Sequence, residues 1–594
     1  MNAKTNHEMK RYIHSAMLLL LTAGLAGCDD FFDPETDDSL DGDKYMSSLT
    51  EMSTGYLGVL TKMQEVGDKA ILLTDTRGEL LEPTNQSTNE LIALYNYDDD
   101  LAGNPYADPA PYYDLVIACN DYIENMIEFK AKKPELVAET NYFEGLLGSA
   151  IRVKVWTYLT IAEIYGQVLW FDDPILKIED LTDPSRFQLL TLDQTVDKCL
   201  DLLRNGYKGY AATENFSWVA WLDPSNVSSI ASSQYRYWDT MTPPYEGLLA
   251  KCLLWKGAAL DAQGLDSRDV YVEVVDVLLP PIEVQIINSS DHRYWIRTNY
   301  SKSHYATFWD YASPYPEEAI GAIIYDYQKN QTNSLLKHFS DEYPNQYLLR
   351  PSQVGRDRWL DNTFNPGTDA ATDNRGSTTV RDHNDVPYIA KYRRVGSSAR
   401  VDAFRDDVHI YTFRGGDYLM MICEALNNSC RFNAAAGFLN SGVNDFRDQI
   451  AYHDTATVAN PDYDREWRGF SQWWTNTDPT GTNNKYYFIG MRGAFDMRDR
   501  PMKTGPADEA EAMAFRQFND SLIANEILLE FAVEGKTYPA LIRLAKRWND
   551  PEIITSRIAP KYGARADEIA DKIRNKNPKT GLPGYFVPWD LQMK

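Results

Sequence analysis

The chain has no cysteine pair spaced C-x-x-C, no H-E-x-x-H, no G-x-S-x-G, no P-loop and no G-x-G-x-x-G. Those gaps remove the usual signatures of structural zinc, zinc proteases, serine hydrolases and dinucleotide enzymes. Basic residues are scarce, 59 Lys and Arg against 86 Asp and Glu, for a formal charge of −27. Such a surface repels phosphate backbones, so no nucleic-acid partner is expected. Apolar runs long enough to span a bilayer are missing as well. Six cysteines and eight histidines complete a list poor in metal-binding side chains.

What is present begins at the N-terminus. Lys4, Lys10 and Arg11 precede the apolar run Met17-Leu18-Leu19-Leu20-Leu21, and the small-residue stretch Leu25-Ala26-Gly27 leads into Cys28. This is the layout of a cleavable export signal over residues 1–27, with Cys28 as the lipid anchor. An ordinary signal with a coincidental cysteine is the alternative. Two or three acyl chains, at about 0.8 kcal/mol per buried methylene, hold a protein stably on a membrane. Residues 28–42, rich in Asp and poor in apolar side chains, read as an acidic tether. The first 27 residues carry three basic side chains and one acidic, which leaves the remainder near −29.

Cys119, Cys199, Cys252, Cys423 and Cys430 remain, an odd number, each in or beside an apolar helical pattern. Buried free thiols are expected rather than a disulfide framework. Helix periodicity is clearest from Asn141 to Tyr165, where Phe143, Leu147, Ala150, Ile151, Tyr158, Ile161, Ala162 and Tyr165 mark one buried face and Gly166 ends the run. Further helices are expected near 45–66, 110–130, 193–206, 244–263, 415–427, 432–448 and 510–535. Val270–Val277 reads as a short strand from its β-branched content. The stretches 208–243, 286–316, 351–400 and 453–508 are far longer than ordinary connections and hold many aromatics. The body is therefore expected to be all-α, built of helix pairs with long irregular loop insertions.

Aromatic side chains make up 12% of the chain, including 14 Trp and 38 Tyr. A flat ring presents its face to the C–H face of a sugar while neighbouring polar groups bond the hydroxyls. The candidate ligand-binding residues are Tyr95, Asn96 and Tyr97, then Trp295, Tyr305, Trp309 and Trp359, with Trp218/Trp221 and Trp467/Trp473/Trp474 as further clusters. Any single loop tryptophan could instead anchor its loop to the helices. Asp98-Asp99-Asp100 and Asp462 with Asp464 offer oxygen ligands to calcium, but neither fits the EF-hand pattern, and a solvated acidic turn is the simpler reading. No metal, cofactor or catalytic residue is expected.

Five blocks, in order, resemble the SusD/RagB family of Bacteroidetes outer-membrane lipoproteins. They are the lipobox and Asp/Phe-rich tether to Leu40; Asp75-Thr76-Arg77-Gly78-Glu79 with Asn104-Pro105-Tyr106 and the helix Tyr113 to Asn120; Glu144…Ile151-Arg152…Trp156…Tyr158-Leu159…Tyr165-Gly166; Arg414-Gly415-Gly416-Asp417-Tyr418…Glu424-Ala425-Leu426…Val443-Asn444…Arg447; and Glu530-Phe531-Ala532-Val533-Glu534-Gly535-Lys536…Leu541-Ile542-Arg543 with Val587-Pro588. Two departures are Asn525-Glu526 in place of a Glu-Arg pair and Ala540 in place of an Asp.

The resemblance implies TPR-like helix pairs in a single SusD-like body over 43–594, with an N-terminal TPR-rich part (43–350) and a C-terminal RagB/SusD part (351–594). It also implies a non-enzyme on the outer membrane, facing outward, that captures glycans or oligosaccharides for a partner SusC-like TonB-dependent transporter. A peptide-binding RagB-like role, a surface glycosidase and a scaffold lipoprotein are the other readings. Arg414, Glu424, Arg447, Glu534 and Arg543, charged residues in apolar helical patterns, should pair with one another or cap helices rather than catalyse.

Overall fold

The computed structural model describes residues 46–177, 180, 183–218, 239–287, 305, 308, 309, 318–360, 373–392, 406–440, 490–492, 495 and 497–589. The signal peptide, Cys28 and the tether lie outside them, as do Trp221, Trp295, Arg447, Asp462, Asp464, Trp467, Trp473 and Trp474.

Helices dominate, and their starts follow from capping chemistry. Ser48 caps α1 (Leu49–Gln64) and Thr191 caps α6 (Leu192–Asn205), each in a reciprocal box with Glu51 and Gln194 that satisfies backbone donors at both ends of the exchange. Between them come α2 (Gly67–Arg77), α3 (Asn89–Tyr95), α4 (Ala110–Lys132) and α5 (Phe143–Tyr165). α4 packs on α1 and α5, and α6 packs on α5. Next, α7 (Tyr245–Ala262) and α8 (Arg268–Ile287) form a pair, the short α9 (Gln353–Leu360) follows, and α8 leans on α10 (Gly415–Asn428). α11 (Phe432–Leu439) and α12 (Glu509–Phe531) flank α10, while α13 (Thr537–Trp548) rests against α7 and α12. α14 (Glu552–Ile558) and α15 (Ala566–Arg574) complete the series. The fold is all-α, with the TPR-like helix pairing expected.

Val270–Val277 is helix, not strand. Tyr271, Val274, Val275, Leu278, Leu279 and Ile282 are its buried residues, at steps of one, three and four. One face of a helix turned to α7 and α10 outweighs the β preference of five valines. The helix expected to run on to 448 is described only to Leu439.

Strands are few among the described residues, and all are two-stranded antiparallel ribbons. β1 (Leu81–Pro83) pairs with β5 (Leu349–Pro351), β2 (Gln167–Trp170) with β3 (Gln188–Thr191), β4 (Ala319–Ile323) with β8 (Ile410–Arg414), and β6 (Val380–His383) with β7 (Val386–Ile389). One apolar cluster runs through the helices from Met46 to Val587. The five cysteines are buried free thiols.

The end of the chain returns to the beginning. Arg77 Nη2 donates to the carbonyl oxygens of Gly584 (2.7 Å) and Phe586 (3.1 Å), and Val587 N–H donates to Ile164 O at 2.9 Å. Phe586 covers Gly166, which ends α5 at φ 75°. A Cβ there would stand 2.6 Å from the Phe586 ring. Gly166→Ala should therefore cost ~2–4 kcal/mol, the sum of left-handed strain and overpacking. Chemical denaturation checks this; a loss below about 0.5 kcal/mol contradicts it.

Candidate ligand-binding site

Buried charges gather around Arg414 at the end of β8. Arg414, fully buried, donates from Nη1 to Glu318 (2.7 Å) and Glu530 (2.7 Å), and from Nε and Nη2 to Glu534 at 3.0 Å each. Arg375, also fully buried, bonds Asp373, Glu530 and Glu526. Arg492 Nη1 reaches Glu526 at 2.7 Å, and Lys391 Nζ reaches Glu534 at 2.5 Å. A second knot joins Glu424 to Arg543 (2.6 Å) and Arg547 (2.5 Å). Burial alone would raise the Glu534 carboxyl, but Arg414, Lys391 and Lys536 outweigh it and hold it at about 2. Glu424 and Glu526 sit at about 2 for the same reason, the arginines beside each overcoming burial. The expected pairing of Arg414, Glu424, Glu534 and Arg543 is thus present, and it serves structure. The departure at Asn525-Glu526 is absorbed here as well: Glu526 serves Arg375 and Arg492, and Asn525 accepts from Arg557.

Buried cations cover two of the aromatic faces expected to meet a ligand, those of Tyr97 and Trp309. Tyr97 is 3% exposed, its hydroxyl donates to Arg77 O at 2.6 Å, and the Arg77 guanidinium lies 3.9 Å over its ring. Tyr305 is wholly buried and donates to Glu530 O at 3.0 Å. Trp309 is 2% exposed, with Lys391 Nζ 4.2 Å over it. Trp359, 6% exposed, lies against Gly376, and Trp218 stacks on Tyr56 in the core. Tyr97, Tyr305, Trp309 and Trp359 therefore form no open platform, a correction to the expectation. A buried cation gains from an aromatic quadrupole, and these loops supply it.

Tyr95 and Asn96 stand apart because they are only half-buried. Tyr95 ends α3, and its ring pairs with that of Tyr562, centroids 4.5 Å apart at 36°. Tyr562 OH donates to Tyr95 O at 2.6 Å. Arg565 Nη1 donates to Asn96 Oδ1 at 2.9 Å, and Lys572 Nζ to Asn96 O at 3.0 Å. Beneath the rings Lys561 Nζ, 4.6 Å from the Tyr95 centroid, donates to the carbonyls of Thr76, Gly78 and Leu81. Burial pushes its ammonium down to about 7. The charges acting on the Tyr95 hydroxyl are Glu82, Arg565 and Arg350. The result is a pair of half-buried rings bordered by amide, guanidinium and carboxylate groups.

Sequence reading missed Tyr562, Arg565, Lys561, Arg350 and Glu82. One signal for the first three was available. Residues 536–579 hold eleven basic side chains against five acidic in a chain of charge −27.

Asp98 and Asp100, weighed for calcium, face Lys572 (3.6 Å) and Lys579, and Asp99 O accepts from Asn577. Their charge is met by lysines. A cavity of about 70 Å³ among α7, α10, α12 and α13 is lined by Lys251, Asp417, Glu424, Lys536 and Arg543 with Met420 and Phe531. It falls far below the roughly 300–1,000 Å³ of ligand pockets. Its charged groups are paired with carboxylates or bases already.

No family model and no curated protein matches the chain. Solved structures do. A SusD superfamily protein from Bacteroides vulgatus superposes with a TM-score of 0.55 at 12% identity, covering 91% of this chain and 95% of its own. Surface glycan-binding protein A from Bacteroides uniformis gives 0.54 at 12% identity over 87% and 93%. A SusD homolog from Bacteroides thetaiotaomicron gives 0.52 at 12% identity over 92% and 93%. With paired helices and near end-to-end coverage on both sides, this chain shares the fold of these three structures.

Proposed function

We propose that this chain is a surface-exposed outer-membrane lipoprotein that captures glycans and delivers them to a SusC-like TonB-dependent transporter. Cys28 carries the lipid, residues 28–42 form the tether, and residues 43–594 form the binding body. Capture takes place at Tyr95, Asn96 and Tyr562, and the protein is a binder with no turnover. The observation that carries this reading is the half-open Tyr95–Tyr562 ring pair with its polar border, on a fold shared with a surface glycan-binding protein. No helix among the described residues is long and apolar enough to cross a membrane.

The test is titration of the purified mature protein with an oligosaccharide panel. Saturable binding without product is expected, and Tyr95→Ala should weaken it about tenfold, or ~1.4 kcal/mol. Product release would make it a glycosidase. Binding to peptides alone would replace the glycan reading with the RagB-like one.

A further inference from the structure

The β1–β5 ribbon sets Glu82 directly across from Arg350, which puts both side chains on one face of the ribbon. Their partners along each strand, Leu81 and Leu349, are buried on the other face. Arg350 Nε donates to Glu82 Oε1 at 2.8 Å, and the Arg350 side chain is 46% exposed. Its two Nη groups donate to nothing among the described residues, and neither does the hydroxyl of Tyr95, whose helix α3 packs against β1. Tyr347, three residues earlier, donates its hydroxyl to Pro387 O, and that hydroxyl also feels the charge of Arg350.

Arg565, the other guanidinium near Tyr95, differs. Its Nε and Nη2 are taken by Glu568 at 3.0 and 2.9 Å, and its Nη1 by Asn96. Arg350 is therefore the group here with an unused donor edge. Glu82 fixes its orientation through Nε and leaves the Nη fork facing outward. A planar fork of that kind matches a carboxylate through two parallel hydrogen bonds, a geometry that neutral hydroxyls do not reproduce. On a chain of net charge −27, the Arg350 guanidinium adds to the basic residues Lys561, Arg565 and Lys572 already gathered at this site.

Resting on the saccharide reading above, we infer that the Tyr95 site selects acidic glycans, with the Arg350 fork binding the carboxylate of a uronic acid residue whose ring lies on Tyr95 and Tyr562. Arg350 then determines specificity, while the ring pair supplies affinity common to all sugars.

The experiment is calorimetric titration of the full mature protein, and of its Arg350→Gln and Arg350→Lys variants, with neutral, uronate-containing and sulfated oligosaccharides. Thermal melts verify folding. The wild type should prefer uronate-containing over neutral ligands by at least tenfold. Arg350→Gln should bring that preference near one, and Arg350→Lys, which keeps the charge and the Glu82 pair but loses the fork, should give an intermediate value. A preference unchanged in Arg350→Gln, or no preference in the wild type, overturns the inference while leaving the glycan reading intact. Selection of sulfated over uronate ligands overturns the carboxylate assignment. If no saccharide binds, the glycan reading and this inference fall together.

Discussion

Alanine at position 414 should lower the free energy of unfolding by about 3–5 kcal/mol, the cost of stripping the partner from buried charge. Arg414 holds Glu318, Glu530 and Glu534 together, and its Nη2 also donates to Glu530 O at 2.8 Å. Truncation leaves three carboxylates with Arg375, Lys391 and Lys536 as their remaining cations. Coulomb repulsion and desolvation then act in the same direction. The measurement is urea unfolding, with a fall in midpoint at constant slope. A double variant, Arg414→Met with Glu530→Gln, should recover part of the loss, because it removes charge from both sides of one contact. A single-variant loss under 1 kcal/mol would show that the network contributes little to stability.

The second large effect is acid sensitivity. Glu424, Glu526 and Glu534 are each held at about 2 in the folded chain against an ordinary 4.5. A carboxylate with a depressed folded value contributes stability that is complete above 4.5 and disappears as pH falls from 4.5 toward 2. Each contributes ~3 kcal/mol on that basis, less in sum because Glu526 and Glu534 share one network through Arg375, Glu530 and Arg414. Asp75 opposes them. Burial raises its carboxyl to about 7 against the hydrogen bonds from Gly535 and Thr537, so its contribution is full below 3.8 and declines as pH climbs to 7. One group set against three leaves a net loss in acid. Melting temperature should drop steadily below pH 4.5, and Asp75→Asn should gain on the wild type between pH 4 and 7. A melting temperature constant from pH 4.5 to 2.5 would refute the assignment.

Long amphipathic helices were legible in the sequence because a buried face imposes its spacing on the residues, as in α5, which ends at Gly166 as expected. Charged residues inside apolar patterns were legible for the same reason: burial demands a partner, so Arg414 and Glu534 announced one another. Val270–Val277 was misread because β-branched composition is local while the packing that decides it is not. The aromatic loops failed on a different ground. A tryptophan covering a lysine, as Trp309 covers Lys391, has the same local sequence as one waiting for a sugar. Tyr95 and Tyr562 lie 467 residues apart, and nothing short-range ties them.

The grip of Arg77 on Gly584 and Phe586 has a bearing on how the polypeptide acquires its shape. These hydrogen bonds span 507 and 509 residues, so the guanidinium at the end of α2 waits for nearly all the rest of the chain before it finds its acceptors. Contacts of such separation form late and slowly, because loop closure must precede the reward. A chain halted short of Gly584 leaves Arg77 without these acceptors and Gly166 uncovered together, so maturation of the first helices is timed by the arrival of the last segment.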